Sequence, residues 1–229
     1  MTDEAALASF RLADSFLPVG TYSVSYGLEQ FVQSGRVEDA ADLTALLETY
    51  LRRQLETASL VALRAAHDAA AGDDLDAVCE ADRRLLAVTL AAEFRADATR
   101  AGDRLLTLQR DLETDPFLEA YADRVADDTA PGTHSAVLGA VAARAGVSER
   151  RACLVCCHGF VTDLLGAAQR LLAFGHTDAQ RVLTDLQPVI VDAVEGSADC
   201  SLDDLIAFTP LVDLVSAEHE RADRRLFSS

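Results

Sequence analysis

Four side chains within six positions carry the densest metal-binding chemistry in the chain: Cys153, Cys156, Cys157 and His158. Thiolate and imidazole are the donors that take Zn²⁺ or Ni²⁺. They fall among Leu154, Val155 and Phe160, in a segment of helical character. A cysteine among aliphatic neighbours packs as a small hydrophobe, so core packing is the expectation. A helical metal-binding or redox protein built on this cluster is the alternative. His219 and Glu220 form the first half of HExxH, but Asp223 stands where the second histidine belongs, and a polar helix face is the plainer reading. Glu93, Arg95, Asp97 and Arg100 give a dense charged helix face. Solvated pairing at i,i+4 is the default there, each pair contributing only a few tenths of a kcal/mol. The other reading is an interface stripe opposite the small residues Ala98, Ala101 and Gly102. His67 is expected on the surface, and His134 in a capping or backbone contact beside the loop that precedes it. A P-loop needs a lysine, and the chain has none; GxGxxG and GxSxG are also absent. No two groups read as nucleophile and base. The expectation is a protein that is not an enzyme and has no cofactor or metal site of its own.

The elements that must position these residues are helices. Leu43, Leu46, Leu47, Tyr50, Leu51 and Leu55 mark one face at steps of three and four. Phe94, Ala98, Ala101, Leu105, Leu108 and Leu112 mark a second, and Val182, Leu183, Leu186, Val189 and Ile190 a third. No segment alternates as a strand does. Stops are written at Ser34-Gly35, Gly72-Asp73-Asp74, Ala130-Pro131-Gly132-Thr133 and Gly146-Val147-Ser148. Asp115-Pro116 reads as an N-cap followed by proline at the first helical position. Thr177 with Gln180 matches a capping box, Pro188 is expected to kink its helix, and Thr209-Pro210 to open the last one. The fold class is all-α: a single-domain bundle of about nine or ten helices over residues 1–229, with a flexible N-terminus (about 1–8) and a C-terminal docking tail (about 222–229).

With 229 residues, half of them hydrophobic, the chain can bury a real core. Its formal net charge is −18 and its 20 basic residues are all arginine. Such a surface repels nucleic acid and anionic membrane and is suited to high salt, a sign of an acidic proteome. The longest apolar stretch, Ala152 to Val161, is too short for a transmembrane span, and the acidic start does not resemble a signal peptide. Five cysteines without framework spacing fit reduced thiols in a cytoplasm.

One stretch is too particular for a linker. LADSFLPVGTYSVSYGLEQ, Leu12 to Gln30, breaks a helical pattern at Pro18 and Gly20 and holds Tyr22, Tyr26 and Glu29 in an apolar or small context. A structural turn with the tyrosines packed beneath is one reading; a docking segment is the other.

Five segments in order resemble the urease accessory protein UreF family. LADSFLPVGTYSVSYGLEQFVQSGRV is similar to its N-terminal signature and AEFRADATRAGDRLL to its central helix. HSAVLGAVAARAGV, AAQRLLAFGHTDAQRVLTDLQPVI and SAEHERADRRLFSS resemble its later helices and its C-terminal ending. Departures are Tyr22 and Val24 where the family often has Phe and His, His176 for the usual Gln, and Arg224 for the usual Ser. The resemblance implies an all-α chaperone that dimerises, binds a UreD/UreH-type scaffold and recruits the UreG GTPase so that nickel insertion into apo-urease can proceed. It places partner contacts at Pro18, Gly20, Tyr22, Tyr26 and Glu29, at Arg170, His176, Thr177 and Gln180, and at His219, Glu220, Arg225, Leu226 and Phe227. The absence of lysine fits a P-loop that belongs to the partner.

Overall fold

The computed structural model describes residues 2–14, 16–19 and 25–207, and no strand occurs among them. The order is α1 (Asp3–Leu12), α2 (Leu28–Gln33), α3 (Ala40–Tyr50), α4 (Leu60–Ala71), α5 (Leu75–Val88), α6 (Ala92–Leu112), α7 (Pro116–Ala126), α8 (His134–Arg144), α9 (Glu149–Leu171) and α10 (His176–Gly196). Two 3₁₀ turns follow, Ser197–Asp199 and Leu202–Asp204. A π-helical segment, Leu51–Ser59, joins α3 to α4, so 40–71 is one continuous rod. The all-α bundle read from periodicity is the observed class. The helix expected from Thr209 lies outside the described residues.

The rod is the axis of the packing. Leu43, Leu47, Tyr50, Leu51 and Leu55 are buried, as their spacing requires, while Leu46 packs at the margin. α4 is buried on several sides, lying along α8 and against α5 and α9. Gly139 makes the α4–α8 contact close: a Cβ there would overlap the Leu63 carbonyl. Gly102 does the same where α6 meets the loop before α8, since a Cβ would run into the Gly132 carbonyl. The small residues of α6 therefore serve an internal contact at Gly102. α10 lies on α9, on the π segment and on α3.

Most stops stand where the sequence writes them. Asp115 accepts from the amides of Phe117 and Leu118 with Pro116 at the first position of α7. Gly35 and Gly146 take left-handed φ values of 68° and 69° just past α2 and α8. Two details differ. The start of α10 is capped at Gly175, whose N–H donates to Asp178 Oδ2 at 3.3 Å, and Thr177 with Gln180 lies inside the helix. α10 also runs unbroken through Pro188. Pro188 and Thr184 are both exposed, so the carbonyl that the missing amide leaves is on the water side.

Buried polar groups tie the ends together. Asp82 is fully buried on α5 and accepts from Tyr121 Oη (2.8 Å), the Gly132 and Thr133 amides (2.6 and 2.8 Å) and Thr133 Oγ1 (2.6 Å). It fixes the loop that starts α8. Arg64, on α4, donates to the Val194 carbonyl (2.6 Å) and Ser197 Oγ (3.1 Å) and pairs with Glu149, joining the start of α9 to the end of α10. His67 is half-buried, its Nε2 donating to the Val147 carbonyl at 2.8 Å, so it is not the surface residue expected of an alanine-rich face.

Candidate functional site

Tyr26 is the residue around which the N-terminal turn is built. Its φ is 48°, in the left-handed region that a tyrosine rarely enters, and Gly27 follows at 77° to cap α2. The Tyr50 hydroxyl donates to the Tyr26 carbonyl. The Tyr26 ring stands 5.2 Å from Phe94, edge-on, and 4.9 Å from Phe160, which in turn lies 5.5 Å from Tyr50. Pairs of this geometry add about 0.5–1.5 kcal/mol each beyond their area. The preceding turn, 16–19, sends Leu17 and Val19 inward and Phe16 and Pro18 outward. α2 buries Glu29, which accepts from Gln33 Nε2 at 3.1 Å.

This turn roofs a cavity of about 130 Å³. Leu12, Leu17, Val19 and Tyr26 form one wall; the other lining residues include Gln54 and Leu55 of the π segment, Leu85 of α5, Phe94 of α6, His134 of α8 and Cys156, Phe160 and Asp163 of α9. Burial pushes His134 down to about 4, so it is a neutral imidazole at pH 7. Burial first, then the charges of Asp163 and Asp97, raise the Tyr26 phenol well above its ordinary value. Asp97 is 4% exposed, pairs with Arg100 through Oδ1, and keeps Oδ2 without a hydrogen bond among the described residues. It is a buried member of what reads in sequence as a solvated stripe.

The cysteine cluster packs into the core. Cys153, Cys156 and Cys157 are buried on α9, and burial raises Cys153 to about 12, Cys156 to about 11 and Cys157 further still. All three remain thiols at neutral pH. Among the described residues no three His, Cys, Asp or Glu side chains converge as metal ligands. α9 is also long and apolar enough, by length and composition, to cross a membrane; over half of that window is buried inside the bundle, as in a core helix.

The remaining candidates lie elsewhere. Arg170, His176, Thr177 and Gln180 are exposed around the α9–α10 turn. Gln169 Nε2 donates to His176 Nδ1 at 2.9 Å, and Arg170 Nε to the Gly166 carbonyl at 3.1 Å. Phe160 and Arg170 are ten residues apart on α9, about 15 Å along the axis, so this turn and Tyr26 are two separate places. Gly20, Tyr22, His219, Glu220, Arg225, Leu226 and Phe227 lie outside the described residues. An apolar surface not singled out in the sequence adds to the N-terminal region: Leu7, Phe10 and Phe16 are 65%, 67% and 91% exposed. The signal was available, because Leu7 and Phe10 sit off the Ala5, Ser9, Leu12 face that α1 buries.

With this geometry in hand, comparison with known proteins is decisive about kinship. A sequence model of the UreF family matches residues 37–187. The urease accessory protein UreF of Trichodesmium erythraeum is 31% identical over 223 residues, covering 97% of this chain and 96% of that protein. The chain belongs to the UreF family. UreF of Bacillus sp. TB-90 is likewise 31% identical, over 97% of this chain and 98% of its own length. UreF 1 of Brucella melitensis is 32% identical over 95% and 90%. The UreF-family match beginning at residue 37 takes in the rod, α5 to α9 and the start of α10, while the relatives extend it through the Tyr26 turn.

Proposed function

We propose that this UreF-family chain is an adaptor and chaperone in urease maturation, linking a UreD/UreH-type scaffold to the UreG GTPase so that nickel reaches apo-urease. It performs no bond chemistry itself, acts in the cytoplasm and works as a homodimer. The observation that supports the reading is kinship over nearly the whole length with proteins named urease accessory protein UreF. The exposed apolar side chains of α1 and the following turn support it, since large apolar groups clustered on a surface mark contact sites. On this reading Leu7, Phe10, Phe16 and Pro18 meet the scaffold together with Arg225, Leu226 and Phe227. Tyr26 and Glu29 hold the N-terminal turn in shape, and Gly20 and Tyr22 belong to the same segment. Arg170, His176, Thr177 and Gln180 meet the GTPase or the second copy, and His219 and Glu220 lie at the C-terminal contact.

Co-expression with a tagged scaffold tests it. Full-length chain is expected to co-purify with scaffold and GTPase, and deletion of residues 224–229 or Phe10→Asp to lose the scaffold with helicity intact. Retained scaffold binding by both variants would sink the assignment of these surfaces. Failure of the intact chain to capture either partner would sink the adaptor reading itself.

A further inference from the structure

We propose that the last turn of the π segment is a clip that receives residues 203–207, fixes where residues 208–229 leave the body and so sets their reach toward the scaffold. The clip is a property of the isolated chain; its bearing on the scaffold rests on the adaptor reading above. The π segment supplies the receptor. The Leu60 amide donates to the Leu55 carbonyl, five residues back, and the return to i→i+4 bonding in α4 skips one carbonyl in that turn. The turn therefore has an acceptor to spare, and Thr57 stands in it. The Ile206 amide donates to the Thr57 carbonyl at 3.1 Å, and the Thr57 hydroxyl donates back to the Ile206 carbonyl. One residue of the rod thus satisfies both backbone groups of Ile206. The Ile206 side chain is 61% exposed, so it is the backbone that is gripped.

The residues on either side complete the grip. Leu205 and Ala207 pack on a small cluster of Ala58, Ala62 and Leu85, joined by Val88 and separate from the main core. Inward, outward, inward is the alternation of an extended run, and Leu205 has the extended φ and ψ of −57° and 118°. Upstream, the Ser201 hydroxyl and amide both donate to Asp204 Oδ2, at 2.7 and 2.9 Å, closing the 3₁₀ turn that presents Asp203 to Arg84. Arg84 is steadied in turn by Glu80 at 2.7 Å. An exposed pair of this kind adds little strength; it sets the register in which Ile206 meets Thr57. Arg64 holds Ser197 Oγ at the other end. The run from Ser197 to Ala207 is pinned at both ends, which gives the residues that follow a fixed starting point beside α5.

Amide hydrogen exchange on the full chain, resolved by NMR, tests the clip. The Ile206 amide is expected to exchange more slowly than an unstructured amide. Thr57→Val should speed it about three- to tenfold, the factor a lost neutral hydrogen bond supplies, with the amides of α8 unchanged, and Thr57→Ser should keep the parent rate. Should Thr57→Val quicken the α8 amides as well, Arg84→Gln decides, because it leaves the π segment untouched and should speed Ile206 alone, about two- to threefold. An Ile206 amide that is unprotected in the parent, or that keeps its rate in both variants, overturns the clip. The reach is tested by the affinity of the chain for immobilised scaffold. Ile206→Pro removes the gripped amide, and the extended Leu205 accepts a following proline. It should weaken scaffold binding at least about fivefold, since a freed segment must be ordered at the moment of contact, with the thermal melt unchanged. An unaltered affinity would show that the clip does not set the reach. A parent chain that binds no scaffold would sink the adaptor reading and the reach together, while exchange at Ile206 still decides the clip.

Discussion

Asp82 and His134 show how single buried groups set this site. Asp82 gathers four donors, two of them on Thr133, and thereby fixes the residue before His134. His134 is then carried into the cavity wall as an imidazole that burial keeps neutral to about pH 4. Its folded value lies below the unfolded one of about 6.5. The unfolded chain therefore binds the extra proton between about pH 6.5 and 4, and stability falls as pH drops through that window. His134→Leu should flatten the loss between those pH values by up to about 3 kcal/mol relative to the parent. Urea unfolding of both chains at pH 7.0, 5.5 and 4.5, covering most of that window, measures it. Parallel curves would show that His134 titrates normally. Burial raises the Asp82 carboxyl, which acts in the opposite sense and is common to both chains. At this scale the sequence was partly legible. The cysteines read correctly as core because their neighbours are aliphatic. Asp82 and Arg64 did not stand out, because their partners lie far along the chain, and Asp97 was read with its neighbour Arg100 as a solvated pair although it is buried.

Elements were the most readable level, since caps and periodicity are local. Glycine meaning was less so: Gly102, Gly139, Gly159 and Gly166 look alike in sequence and differ in what faces them. A methyl at Gly102 or Gly139 meets a carbonyl of another segment, while Gly159 and Gly166 on α9 have nothing within 4 Å of where a Cβ would sit. Gly139→Ala and Gly102→Ala should each destabilise by about 1–3 kcal/mol, the usual cost of overpacking. Gly166→Ala should stabilise by up to about 1 kcal/mol from helix propensity. Chemical denaturation ranks the three, and equal effects would contradict the packing described. The π segment does not show in the sequence because Leu51 and Leu55 keep a spacing that an α-helix also accepts.

For the whole molecule the governing influence is charge. At −18 the surface repels itself, and its ion pairs are mostly exposed ones such as Arg52–Asp192 and Arg150–Glu195, both at 3.5 Å, that add little. Salt weakens the pairs and the repulsion together, and with so large an excess of carboxylates the relief of repulsion wins. Raising KCl from about 0.1 M to about 2 M should lift the melting temperature by at least about 5 °C, near 2 kcal/mol for a chain of this size. The gain should shrink near pH 4.5, the isoelectric point. A melting temperature that falls with salt at pH 7 would show that the ion pairs govern. The rod that threads this molecule also constrains its descent. A π turn holds about one residue more than the α turn it replaces, so losing one residue from Leu51–Ser59 would let the segment close into an ordinary α-helix with α4 in close to its present orientation against α3. Losing one from α4 before Leu63 would instead turn Leu63 about 100° from its seat against Gly139. A one-residue gap in the rod should therefore be accepted within 51–59 and not at the start of α4.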